Sequence, residues 1–170
     1  MRNLIAAGSI IAALVLAPAV GLAAKKGEKA FLKEAMQGNM TEIEFGKLAM
    51  EKATNQDVKA YGQMLVDDHS QANQKAQTLA QQLGVQAPAD IGSKHQAELK
   101  KFQSMTGATF DRMFVEHMVK DHKKDVKDYQ AQAGSGPVAG FAKETLPTLQ
   151  KHLEKAEGLM SKVSSGKARS

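Results

Sequence analysis

Between Glu28 and Val163 apolar residues recur at three- and four-residue spacings in four long stretches, the period of an amphipathic helix. A chain patterned this way must pack helix on helix. Few β-branched runs interrupt it, and Ala, Leu, Met, Lys, Glu and Gln, all good helix formers, are abundant. The spacing predicts a first helix from about Glu28 to Ala53. Thr54-Asn55-Gln56-Asp57 reads as a capping box that opens a second helix, which ends at Gly84. Residues 85–92, with Pro88, form a linker; Ser93 then caps a shorter helical piece to Met105, broken at Thr106-Gly107. A third long helix covers Ala108 to Ala133. After Gly134-Ser135-Gly136, Pro137 at a first helical position opens a fourth, reaching Val163. Pro147 falls inside it, removes one backbone bond and frees the Lys143 carbonyl, so a kink is expected there.

Short joints within two helix pairs and a long joint between them predict an all-α, ferritin-like four-helix bundle with a long helical crossover between helices two and three. A plain up-down bundle is the other arrangement this pattern allows. Ahead of the helices, Arg2, the uncharged run Leu4 to Leu16, Pro18 and the small residues Gly21, Ala23 and Ala24 have the layout of a secretory signal peptide. The expected organisation is a signal peptide over 1–23, a bundle over 24–163 and a flexible tail over 164–170. No second apolar run is long enough to span a bilayer, so the expected location is periplasmic or secreted. The chain has no cysteine, which excludes disulfides and thiol chemistry.

The formal charge is +5, with lysines scattered among acids rather than clustered. With two Tyr and no Trp there is no base-stacking platform, and nucleic acid is not an expected partner. Electrostatic association with an anionic envelope surface is the most this charge supports.

Polar exceptions to the apolar stripes carry the functional signal. Wound at about 100° per residue, helix one places Glu42 among Phe31, Ala35, Phe45 and Ala49. Helix two places His69 within Val58, Leu65, Ala72, Ala76 and Leu79, with Asp68 at the edge. His122 sits among Val115, Met118, Val126 and Tyr129, with Asp121 to one side, and His152 among Phe141, Ala142, Leu149, Ala156 and Leu159. All four residues lie near the midpoints of their helices. Midpoints coincide in a bundle whichever way neighbours run, so Glu42, His69, His122 and His152 should meet in one layer.

Two readings of that layer stand. One is a hydrogen-bonded polar layer that sets helix register, with the rings satisfied by Glu42, Asp68, Asp121 or water. The other is a metal site, in which three imidazoles and a carboxylate hold a divalent transition metal such as Zn²⁺, Ni²⁺, Cu²⁺ or Fe²⁺, with Asp68 and Asp121 orienting the ligands. His117 and His95 are expected at the surface. Met113 and Met118 each precede a histidine by four residues, but methionine in a bundle core is ordinarily packing. There is no Gly-rich phosphate loop, and no Ser or Thr stands out as a nucleophile.

The stretches MTEIEFGKLA, LVDDHSQAN, TFDRMF with MVKDHKKDV, and AKETLPTLQKHL resemble the motifs of a bacterial exported domain-of-unknown-function family. Its members are ferritin-like bundles often labelled predicted outer-membrane proteins. The resemblance runs from about Lys29 to Met160, and its pattern falls on Glu42 and Glu44, Asp68 and His69, His122, and Leu146-Pro147 with His152. It implies the fold and brings no established activity. The chain has no alternating strands of a membrane barrel, so an integral outer-membrane barrel is not expected. Di-iron bundles use Glu-x-x-His pairs, and none of the five histidines has a glutamate three residues before it.

Together these features point to a non-enzymatic, exported helical bundle acting in envelope maintenance or stress. The alternative is a metal-binding protein or metal-dependent oxidoreductase that uses the Glu/His layer. A third possibility is a module that docks protein partners through its crossover helix.

Overall fold

The computed structural model describes residues 25–164; the expected leader and residues 165–170 of the tail lie outside that range. Five helices follow in order: α1 Lys26–Lys52, α2 Gln56–Gln82, α3 Gly92–Gln103, α4 Gly107–Gln132 and α5 Ala139–Ser164. No strand occurs among the described residues, and no helix there is long and apolar enough to cross a membrane.

Helix boundaries depart from the sequence reading where a distant side chain competes for the cap. Asn55, not Thr54, caps α2, accepting from the Asp57 N–H at 2.8 Å. Thr54 is claimed by Asp111 of α4: its hydroxyl donates to that carboxylate at 2.5 Å and its N–H at 3.0 Å. The Asn55 N–H adds a third bond to the same group at 2.9 Å. Gly84 ends α2 with φ +61, and the Val85 N–H reaches back to the Ala80 carbonyl at 2.8 Å. At α3 the capping group is Asp90, which accepts from the Gly92 N–H at 2.7 Å, rather than Ser93. Helix α5 starts two residues beyond Pro137, runs through Pro147 as one helix and takes in Ser164, the first residue of the expected tail.

Helix α1 packs along α2 and α4 along α5; the two pairs meet through α2 against α5 and α1 against α4, with α3 lying on α1. Asp111 on Thr54 sets the start of α4 beside the α1–α2 joint. The Lys162–Asp57 ion pair, 2.6 Å, brings the end of α5 to the same place. So α1 runs toward that end, α2 and α4 both run away from it, and α5 returns. Two successive long helices pointing the same way require a connection that travels back the length of the bundle. Helix α3 and its flanks supply it.

Toward the α1–α2 joint, about two turns from it on each side, α1 and α2 touch backbone to backbone. A Cβ on Gly46 would stand 2.6 Å from the Gly62 carbonyl oxygen, and one on Gly62 would stand 2.7 Å from that of Gly46. Only glycine fits either position without separating the helices.

The interior is two apolar cores, not one. One core, near the α1–α2 joint, gathers Phe45, Tyr61, Leu65, Phe102, Phe110, Phe114 and Met118 with Leu159. The other gathers Phe31, Leu32, Met36, Ala76, Ala80, Tyr129, Phe141 and Leu149. Burying each large side chain contributes about 1.5–3 kcal/mol, so both blocks drive folding. In every long helix the residue between the two blocks is polar: Asn39 and Glu42, His69, His122 and His152, all buried. The apolar stripes therefore position a polar layer at mid-height.

Candidate metal centre

His69 of α2, His122 of α4 and His152 of α5 are 3 %, 0 % and 0 % exposed, so the three rings are buried. Their ring centroids stand 5.1–5.8 Å apart. One nitrogen from each ring can be chosen so that all three lie within 4.8 Å of one another.

The outer nitrogen of each ring has an acceptor, and that acceptor dictates the tautomer. His122 Nδ1–H donates to the Met118 carbonyl at 3.0 Å. His152 Nε2–H donates to Asp68 Oδ2 at 2.8 Å. His69 Nδ1–H donates to Asn39 Oδ1 at 2.9 Å. In the neutral rings the other three nitrogens then carry lone pairs. His122 Nε2 and His152 Nδ1 face each other at 3.2 Å, and His69 Nε2 is buried without a partner.

Protonation is a poor remedy for these facing lone pairs. Burial, followed by repulsion from His152, pushes His122 down to about 4. Burial, followed by His152 and His122, holds His69 well below its usual range. Burial also lowers His152, although its hydrogen bond to the Asp68 carboxylate opposes this. At neutral pH the cluster is three neutral imidazoles, with one nitrogen of each within 4.8 Å of the others. A metal cation accepts all three lone pairs at once. Two nitrogens bound tetrahedrally to one Zn²⁺-sized ion would be about 3.3 Å apart, close to the His122–His152 separation.

Glu42 shares the layer but does not belong to the converging group, which consists of the three rings. It is 1 % exposed, and neither carboxylate oxygen has a hydrogen-bond partner. Burial, then repulsion from Asp121 and Asp125, holds its carboxyl well above the usual range and so favours the protonated form. Asp68 does orient a ring, that of His152. Asp121 orients none, because the three outer nitrogens are taken by Asn39, Met118 and Asp68; its charge acts at longer range on Glu42, His117 and His122.

His117, expected at the surface, is mostly buried. Its ring lies 4.8 Å from that of Phe45 and 5.3 Å from that of Phe102, with Nδ1 3.5 Å from Glu98. The reason is α3, which covers a face that would be open in a bundle of four helices alone. His95 keeps a 28 % exposed side chain, 3.8 Å from Glu98.

Two participants escaped the sequence reading. Asn39 lies three residues before Glu42, and that spacing was the available signal. The Met118 carbonyl carries none, since any inward ring on a helix can reach the carbonyl four residues back.

Fold and site together define an all-helical bundle with a buried three-histidine cluster capable of holding a metal ion. The chain belongs to the family described as a domain of unknown function, DUF4142, which it matches over residues 14–159. Among curated proteins none matches. The crystal structure of a DUF305 fragment from Deinococcus radiodurans is similar, with a TM-score of 0.73 and 14 % identity, covering 82 % of this chain and 99 % of that one. At that identity the likeness is one of fold.

Proposed function

We propose that this protein binds a divalent transition metal ion through His69, His122 and His152, in a ferritin-like bundle that works outside the cytoplasm. The observation that carries this reading is the placement of the ring nitrogens: one nitrogen of each ring lies against Asn39, the Met118 carbonyl or Asp68. With those acceptors in place the remaining nitrogens carry lone pairs, and one nitrogen from each ring lies within 4.8 Å of the others. A layer built only for helix register would satisfy its own groups, because each buried unpaired polar atom costs about 1–3 kcal/mol. Here one nitrogen is unpartnered and two more oppose each other, which favours a cation over a scaffold. Neutral imidazole suits Zn²⁺, Ni²⁺, Cu²⁺ or Fe²⁺ and is a poor match for Mg²⁺ or Ca²⁺.

Three protein ligands leave a coordination position open, the arrangement found in catalytic rather than purely structural zinc sites. The ferritin-like connectivity is supported by the parallel course of α2 and α4 with a long return between them. Export rests on the leader-like segment Arg2 to Ala24, and a role in envelope maintenance or stress accords with it. The excess of positive charge would favour contact with an anionic envelope surface.

Calorimetry on chelator-stripped protein tests the metal reading. Saturation at a hundred times Kd should add about 2.7 kcal/mol of stability, and roughly 5–10 °C of melting temperature. His122→Ala should abolish the shift and His95→Ala should keep it. No binding of any of the four metals at neutral pH would return the layer to a structural role.

A further inference from the structure

A cavity of about 50 Å³ reaches the histidine cluster from one side of the bundle. Its inner wall includes His69 and Asn39; its outer wall includes Glu34, Lys124, Asp125 and Asp128. His69 and Asn39 are each 3 % exposed, and each has a buried nitrogen without a partner, Nε2 and Nδ2 respectively. Exposure rises outward: the side chain of Asp125 is mostly buried at 23 % exposed, while those of Asp128 and Lys124 are 44 % and 65 % exposed. One continuous space thus joins a rim bearing three carboxyl groups to a buried imidazole.

We propose that this cavity is the route by which a divalent cation reaches the three histidines, with Asp125 and Asp128 as its capture ligands and Lys124 as its latch. The inference rests on the metal reading above. The cavity has room for only a few waters, so an ion entering it must shed most of its hydration shell. Carboxylate oxygens at the mouth replace those waters first; imidazole nitrogens replace them at the end. Lys124 Nζ lies 2.8 Å from Asp128 and 4.0 Å from Asp125, occupying the carboxylates that a cation would use. A divalent ion displaces it because it carries twice the charge. Carboxylates that act in transit, and not in the final site, change the rates of loading and release without changing affinity.

The test is stopped-flow loading of chelator-stripped protein with Co²⁺ alone, followed by its visible absorbance, at low and high salt. At pH 8, where Asp125 is ionised, and at low salt, Asp125→Asn and Asp128→Asn should each slow loading about three- to tenfold, the effect of one charge on a divalent ion several ångströms away. Lys124→Gln should speed it by a similar factor. All three differences should shrink in high salt, and Kd should stay within about twofold because release changes in step. Should Asp125→Asn fail to fold, the exposed Asp128→Asn and Lys124→Gln carry the comparison. Loading rates that match the parent in these variants, with Co²⁺ still bound, overturn the route and leave the site intact. A weakened Kd at an unchanged loading rate also overturns it, by making the acids resident ligands. Failure of the parent to bind Co²⁺ at all sinks the metal reading, and the route with it.

Discussion

Replacing His122 by leucine should make the protein less sensitive to acid, and the size of the effect follows from burial. The His122 ring is fully buried and its pKa is pushed down to about 4, against about 6.5 in an unfolded chain. Its folded pKa lies below its unfolded one, so the stability it contributes is present above pH 6.5 and is lost as pH falls toward 4. Across the whole window that loss amounts to roughly 3 kcal/mol, and between pH 7 and 4.5 to roughly 2 kcal/mol. The parent alone cannot reveal it. Asp125, pushed up to about 7 by burial and then by Asp121, slopes the other way, as does Glu42. Their folded pKa values lie above the unfolded ones, so their contribution is present at low pH and lost as pH rises. Both acids remain in the variant, so their slopes cancel in the difference. The remaining cross-effect has the same sign: removing His122 relieves its repulsion on His69. Leucine nearly matches the ring in volume, and the Met118 carbonyl keeps its helical bond. The assay is thermal or urea unfolding of parent and His122→Leu at several pH values from 7.5 to 4.5, with chelator present because acid also strips metal. The stability gap between them should shift by roughly 2 kcal/mol in favour of the variant as pH falls, or about 4–8 °C in melting temperature. A gap that stays constant within about 0.5 kcal/mol would refute the claim that His122 is buried and neutral.

Four further outcomes follow from single contacts. Asp68→Ala removes the acceptor that holds His152 and should weaken metal affinity about 10–100-fold in a competition assay. Asn39→Asp should retain affinity, since only an acceptor faces His69; a loss would show the amide nitrogen on that side instead. Gly62→Ala sets a methyl group 2.7 Å from the Gly46 carbonyl and 2.9 Å from the Ala49 Cβ, so overpacking of about 1–3 kcal/mol should outweigh about 1 kcal/mol of helix propensity. A rise in melting temperature would show that the two helices separate freely. Asp111→Ala strands the Thr54 and Asn55 N–H groups at the α1–α2 joint and should cost about 2–3 kcal/mol in urea unfolding, with metal binding unchanged.

What the sequence determined by itself was the set of inward faces. Helical period is local, so the interruption of each apolar stripe by His69, His122, His152 or Glu42 could be read without knowing a single tertiary contact. The shared height of these residues followed too, because helix midpoints coincide in any bundle of similar lengths. What only the tertiary structure decided was how the side chains pair across helices. Asp111 reaches across 57 positions to take Thr54, and so moves the α2 cap to Asn55. Helix α3 closes over His117, which no count of the periodicity of α4 alone anticipates. In the layer itself, Glu42 stands apart from the three rings, while Asn39, Asp68 and the Met118 carbonyl take the outer nitrogens. Those choices depend on distances of about 3 Å between different helices, set by side-chain rotamers and helix separation, which residue spacing along one helix does not encode.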